Sequence, residues 1–206
     1  MNADLLPLFP LQVVLFPHAA LPLHIFEERY RALLRMVIKE SVEFGVVMTK
    51  GEDLSEIGCS AAVTSVLQMY EDGRMDVLVE GRRRFRIQQV DSTRAQYLMG
   101  SVTFLGDRGE LPDAARFTET VQMYNQLVEL VYAGKVKVLD AETVVPDLSF
   151  VMAQKAGMDL DQRQELLELE TEEERLALLH EYLTAVLPRL KKLEEVDRII
   201  RSDGYL

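Results

Sequence analysis

The chain of 206 residues is 48% hydrophobic and 28% charged, a balance that excludes intrinsic disorder and fibrous repeats. At this length it should bury about 70% of its unfolded surface without staples, and the single cysteine, Cys59, excludes an intrachain disulfide and fits a reducing, cytoplasmic setting. The net charge of −11 argues against nonspecific nucleic-acid binding, which requires Lys and Arg to neutralise phosphates.

Leu5 to Phe26 carries no formal charge and is long enough to suggest a membrane span. It holds four of the seven prolines, Pro7, Pro10, Pro17 and Pro22, and they leave no helical run of spanning length. No Lys or Arg precedes Arg29, so a signal peptide is not expected either. The segment reads as buried extended chain, with short strands over Leu5–Phe9 and Gln12–Phe16. Phe26, Tyr30, Leu33, Leu34 and Val37 then recur at helical spacing, predicting one amphipathic helix over 26–40.

Strands follow over Phe44–Thr49 and Ala61–Tyr70. Glu71-Asp72-Gly73-Arg74 is a hairpin signal, because Asp-Gly supplies the positive φ that a tight turn needs. Met75–Val79, Arg82–Val90 and Tyr97–Leu105 complete about six strands with one inserted helix, the pattern of a barrel or sandwich. Phe9, Phe16, Val46, Val77 and Phe85 are its expected core.

The breaker-rich stretch 106–113 divides a β-rich subdomain (1–105) from a helical one (114–206). The second half is the acidic one, with 12 basic and 21 acidic residues against 11 and 13 in residues 1–105. Phe117, Val121, Tyr124, Leu127, Val128 and Val131 predict one helix that Gly134 ends, and Leu148–Ala156 predicts another stopped by Gly157. Asp159 with Gln162, and Thr171 with Glu174, are capping-box pairs opening two more. In the last helix Leu176, Leu179, Leu183, Val186, Leu190 and Leu193 form a heptad-like seam interrupted by Pro188. Its continuation through Val196, Ile199 and Ile200 offers a surface for self-association.

Motifs for chemistry are few. The chain has no G-x-x-x-x-G-K-[ST] phosphate loop, and G-x-S-x-G, H-E-x-x-H and C-x-x-C are absent too. His18, His24 and His180 lack metal-ligand spacing. No catalytic residue, metal or cofactor is therefore expected. The acidic run Glu165, Glu168, Glu170 and Glu172–Glu174 suits the dipole at a helix start. Arg82, Arg84 and Arg86 alternate along a predicted strand, either as a patch for phosphate or acidic peptide or as a face of ion pairs with neighbours such as Glu80.

Leu6-Pro7-Leu8-Phe9-Pro10-Leu11, Val14-Leu15-Phe16-Pro17 and Leu21-Pro22-Leu23-His24-Ile25-Phe26-Glu27 resemble the start of the Lon N-terminal (substrate-binding) domain. Phe44-Gly45-Val46-Val47, Gly58-Cys59-Ser60-Ala61 and Glu80-Gly81-Arg82-Arg83-Arg84-Phe85 are similar to later parts of that family's pattern. His18-Ala19 and Glu28 depart from it, standing where Gly and Pro are frequent. The resemblance implies an α+β fold, a β-rich PUA-like barrel followed by a C-terminal helical bundle. It also implies a non-catalytic module for unfolded protein, peptide or a partner protein, since the ATPase and peptidase modules that follow in Lon are not matched. Apolar anchors serve such recognition, and Leu15, Phe16 and Leu21 are the candidates, with Arg82, Arg84 and Arg86 beside them. Phe26 and Tyr30 are expected to hold the helix to the barrel. The alternative is an RNA-binding PUA-like protein that uses the arginine patch, a reading the net charge opposes.

Overall fold

A proline inside a strand needs an open edge, because it brings no ladder donor. Strand β1 (Asp4–Leu11) satisfies this in two halves. Residues Asp4–Leu8 pair with β7 (Leu98–Phe104) and Leu8–Leu11 pair on the other side with β3 (Phe44–Lys50). Pro7 and Pro10 therefore each lie in a stretch with one side unpaired. The computed structural model describes residues 4–106, 112–140 and 147–202, which fall into two units. The expected linker lies mostly outside them, at 107–111.

The first unit contains the sheet. Beyond β1, the second expected strand over Gln12–Phe16 is irregular chain, although Val14, Leu15 and Phe16 are buried. The loop is held instead by Gly81, whose N–H donates to Ala19 O at 2.9 Å and whose carbonyl accepts from His18 N at 2.9 Å. His18 takes a left-handed φ of 61°, so the position where the family favours glycine does need one here. The second strand is β2 (Ala20–Ile25). Helix α1 (Glu28–Glu40) follows and buries Tyr30, Leu33, Leu34 and Val37. Tyr30 stacks on Phe9 with ring centroids 4.1 Å apart, whereas Phe26 is exposed, so Tyr30 alone performs the anchoring expected of both.

After β3 come the two-residue strand β4 (Asp53–Leu54), then β5 (Ile57–Met69) and β6 (Met75–Asp91). β6 is continuous where two strands were expected. Along one edge it pairs with β5, and along the other first with β2 and then with β7. With β1 joined to both β7 and β3, the order β1-β7-β6-β5-β3 returns to β1 and the sheet closes. Inside lie Leu6, Leu8, Val47, Phe85 and Val102. Three glycines make that filling possible. A Cβ on Gly45 would stand 2.6 Å from the Phe85 ring, one on Gly58 2.5 Å from Val46 O, and one on Gly100 2.9 Å from Leu8 Cδ1.

The helix α4 (Leu160–Glu168) also belongs to this first unit, although every residue after 113 was assigned to the helical subdomain. Its side chains explain the change. Gln164 Nε2 donates to Ile57 O at 3.0 Å, Lys50 pairs with Asp161 at 2.8 Å, and the Arg163 guanidinium lies 4.8 Å from the centroid of the Phe16 ring. Burial pushes the Arg163 pKa down. The expected capping box opens it, with Asp159 N to Gln162 Oε1 at 3.0 Å and Gln162 N to Asp159 Oδ1 at 2.9 Å.

The second unit holds α2 (Ala114–Tyr132), α3 (Leu148–Ala153) and α5 (Glu172–Ser202). α2 buries the expected residues except Val131, and Ala133 and Gly134 end it with positive φ. The second capping box opens α5, with Thr171 N to Glu174 Oε2 at 3.0 Å and Glu174 N to Thr171 Oγ1 at 3.2 Å. Leu176, Leu179, Leu183 and Leu187 are buried, and the helix runs on through Pro188. Arg175 is wholly buried, donating to Glu172 Oε2 at 2.7 Å, to Ser149 Oγ at 2.9 Å and to Leu169 O at 3.2 Å. Every polar end of that buried cation is directed at an acceptor, which is the condition for burying one.

Gly58→Ala should lower the unfolding free energy by about 1–3 kcal/mol, since the clashing atom is backbone and cannot turn aside. Gly106→Ala, which meets open space, should change it by less than about 0.5 kcal/mol in the same urea titration.

Acid should destabilise the chain through four carboxyls held below their usual range. The Arg74 N–H holds Asp72 down, the His24 bond Asp76, the Thr93 hydroxyl Asp91 and the Thr171 N–H Glu174. The unfolded chain takes up these protons first, so the stabilisation is complete above about pH 4.5 and is lost as pH falls through the folded values. Melting temperature should drop steeply between about pH 4.5 and pH 3, and less steeply in Glu174→Gln.

Candidate functional site

β5 changes surroundings halfway along. Ile57–Ala61 is buried, with β6 on one edge and β3 on the other. The pairing with β3 covers only Phe44–Ala61, Gly45–Ser60 and Val46–Cys59, because the chain before Phe44 turns away toward α1. From Ala62 to Met69, β5 keeps β6 as a neighbour, and among the described residues no strand lies on its other edge. The hairpin so formed carries exposed apolar side chains, with Val66 at 43%, Leu67 at 57% and Met69 at 62% exposure.

A groove of about 490 Å³ runs beside this open edge. One wall is the end of α1 and the connection beyond it, with Val37, Ile38, Ser41, Val42 and Glu43; the other is Ala62–Val66, with Arg82. Ser41 ends α1 in the left-handed region, at φ 53°, and the chain enters the lane beside β5 only at Phe44. A second cleft, of about 480 Å³, lies between Lys50 and Asp161 and is bridged by their ion pair.

The tip of the hairpin is braced rather than reactive. Tyr70 N donates to Arg74 O at 2.9 Å, and Gly73 supplies the positive φ that the Asp-Gly pair predicted. His24 Nδ1 lies 2.5 Å from Asp76 Oδ1, and the Tyr70 hydroxyl donates to Asp76 Oδ2 at 2.8 Å. That second bond is the main reason the Tyr70 pKa is raised. The three side chains tie β2 to the hairpin, and Phe26 stacks on His24 with centroids 6.1 Å apart. Among the described residues no group of three or more His, Cys, Asp or Glu side chains could hold a metal ion. None of the described helices is long and apolar enough to cross a membrane.

The residues proposed from sequence are dispersed. Leu15 and Phe16 are buried beneath the loop that Gly81 holds, and so present no surface to a partner; Leu21 is half-buried in β2. Arg82 lines the groove and pairs with Glu80 at 3.1 Å, whereas Arg86 pairs with Glu56 at 3.0 Å. Arg84 is 4% exposed and donates to Leu167 O, in the last turn of α4, at 2.9 Å. Alternation predicts Arg82, Arg84 and Arg86 on one face, as a ligand patch or as ion pairs with neighbours such as Glu80. Arg82 does pair with Glu80 and Arg86 with Glu56, whereas Arg84 is covered by α4 and Phe85, on the other face, fills the barrel. The exposed helical seam is found further along, at Leu193, Val196, Ile199 and Ile200. Reasoning from sequence missed Val42, Glu43 and the edge Ala62–Val66. The available signal was the absence of any charge from Ile57 to Tyr70.

Residues 5–185 match a family model described as the ATP-dependent protease La (LON) substrate-binding domain. The Lon protease of Porphyromonas gingivalis is 26% identical over 90% of this chain and 25% of its own length. That of Parabacteroides distasonis is 31% identical over 71% of this chain and 18% of its own. The chain thus spans about a quarter or less of these relatives. Two solved structures share the fold. The Lon N-terminal domain protein from Xanthomonas campestris superposes with a TM-score of 0.67 at 23% identity, covering 85% of this chain and 96% of that one. The N-terminal domain of the Mycobacterium avium complex Lon protease gives 0.73 at 17%, covering 88% and 98%.

Arg84→Ala should cost about 2–3 kcal/mol in unfolding free energy, because it strands a helix-end carbonyl and removes a charged donor. Arg82→Gln and Arg86→Gln, each breaking an exposed pair, should cost about 0–1 kcal/mol in the same titration.

Proposed function

Because this chain belongs to the Lon substrate-binding domain family, we propose that it is a recognition module for polypeptide that performs no chemistry on what it binds. The observation that carries this reading is the β5–β6 hairpin, with Val66, Leu67 and Met69 exposed beside a groove. Exposed apolar side chains of this kind, grouped on one element, suit the apolar segments that an unfolded protein presents and a folded one hides. The module acts in the cytoplasm, in keeping with the lone, buried thiol of Cys59. The arginines that suggested RNA have protein partners instead: Glu80 for Arg82, Leu167 O for Arg84 and Glu56 for Arg86.

Fluorescence anisotropy with labelled lysozyme, reduced and carboxymethylated so that it stays unfolded, tests the proposal. The unfolded form should bind and native lysozyme should not. Leu67→Asp combined with Met69→Asp should weaken binding about tenfold or more, since each buried apolar side chain is worth about 1.5–3 kcal/mol. Equal binding by the double variant, or tighter binding of a single-stranded RNA that weakens steeply with salt, would overturn it.

A further inference from the structure

We propose that the open edge of β5, from Ala62 to Gln68, receives an extended segment of polypeptide as an added strand, held in the groove beside the end of α1. This rests on the recognition reading above and specifies how the ligand is held: by its backbone.

The lining of the groove is the first argument. Ala62, Val63, Thr64, Ser65 and Val66 all border it, without a gap. Side chains of a strand alternate between its faces, so a space bordering one face would touch every second residue. Five consecutive residues on one space place it along the edge, next to the backbone, with the Arg82 side chain of β6 closing it on one face. Two irregularities in the pairing with β6, between Val63 and Ser65 and between Val66 and Gln68, coil this stretch without ending it. At the first of them the Thr64 hydroxyl donates to Leu78 O at 3.0 Å, so the strand stays tied to β6 while its other edge is open.

The lane itself is the second argument. β3 occupies it beside Cys59–Ala61 and then departs, because the chain enters it from α1 only at Phe44. An incoming strand would continue the line of β3, about 4.8 Å from β5, with about 15 Å of groove along Ala62–Val66. On the far side of the lane Ile38 and Val42 offer apolar contact to the guest.

Composition is the third. Open edges are normally protected by Lys, Pro, an inward charge or a bulge. Ala62–Met69 has no Lys, Pro or charge, and its bulges leave it paired with β6. An edge without charge or proline is either an aggregation hazard or a binding site, and strand addition is the recognition mode that uses it. The guest is therefore an extended, mostly uncharged segment with β-branched or other apolar residues at alternate positions.

Amide hydrogen exchange on the whole chain tests this, with the unfolded lysozyme above and with a decapeptide of alternating valine and threonine flanked by lysines. Amides between Ala62 and Gln68 should slow about tenfold or more when either is bound. Methylating the peptide's amide nitrogens at every second residue should weaken binding about tenfold in one register and little in the other, because only one row of N–H groups faces β5. Binding of unfolded lysozyme with no protection in β5, or equal loss in both registers, would overturn strand addition while leaving polypeptide recognition intact. Failure of both probes to bind overturns both readings. Protection of the same amides in ligand-free protein running as a dimer would assign the edge to a second copy of the chain, and so overturn the proposal as well.

Discussion

A sheet of five strands closed on itself encloses very little room, and the first unit is organised around what can be fitted there. Phe85 and Leu8 occupy the centre, and the strands opposite them carry glycine at 45, 58 and 100 because a single extra carbon at any of these would overlap a neighbour. Large and small residues on facing strands are thus chosen together. The same constraint fixes the register. Leu8 pairs with Gly45 across the closing parallel contact, so shifting β1 by one residue would carry Leu8 out of the interior and open the ring.

Closure also sets the fate of the outer surface. A strand whose inner face fills the ring has only its outer face to offer, and in β6 that face is taken at Arg84 by the end of α4. Past the ring, β5 outruns β3, while β6 keeps β2 beside it to its first residue, Met75. The open edge is a consequence of strand length: β5 has 13 residues, whereas β3 has 7.

Features settled within a few residues of chain were legible in sequence. Both capping boxes, Asp159 with Gln162 and Thr171 with Glu174, depend on contacts three positions apart and stand as read. The hairpin at Gly73 and the helix over most of 26–40 are equally local. What depended on distant chain was not legible. Gly81 reads as an interruption of a strand, yet it permits a close approach: a Cβ there would stand 2.1 Å from Phe16 O. Arg84 reads as equivalent to Arg82 and Arg86 because alternation places all three on one face, and the helix that covers it alone comes about eighty residues later. The groove was hidden for another reason. It lies beside an edge that no described strand covers, and the uncharged run from Ile57 to Tyr70, its one trace in the sequence, does not say which edge stays open.

The helix α4 has a topological consequence. It lies between α3 and α5 in sequence but belongs with the strands, so the chain leaves the barrel unit after Gly106, returns to it for Asp159–Glu168 and leaves again. The two units are therefore interleaved and cannot be separated by one cut. A fragment ending at Gly106 would keep every described strand, yet it would remove Leu167 O from the Arg84 guanidinium, Gln164 from the Ile57 carbonyl and Arg163 from the Phe16 ring. Its last wall would remain on the discarded piece. Dissecting this protein into autonomous parts thus calls for a rewired chain, in which α4 is joined directly to the end of β7 and the helical unit is closed across the gap left behind.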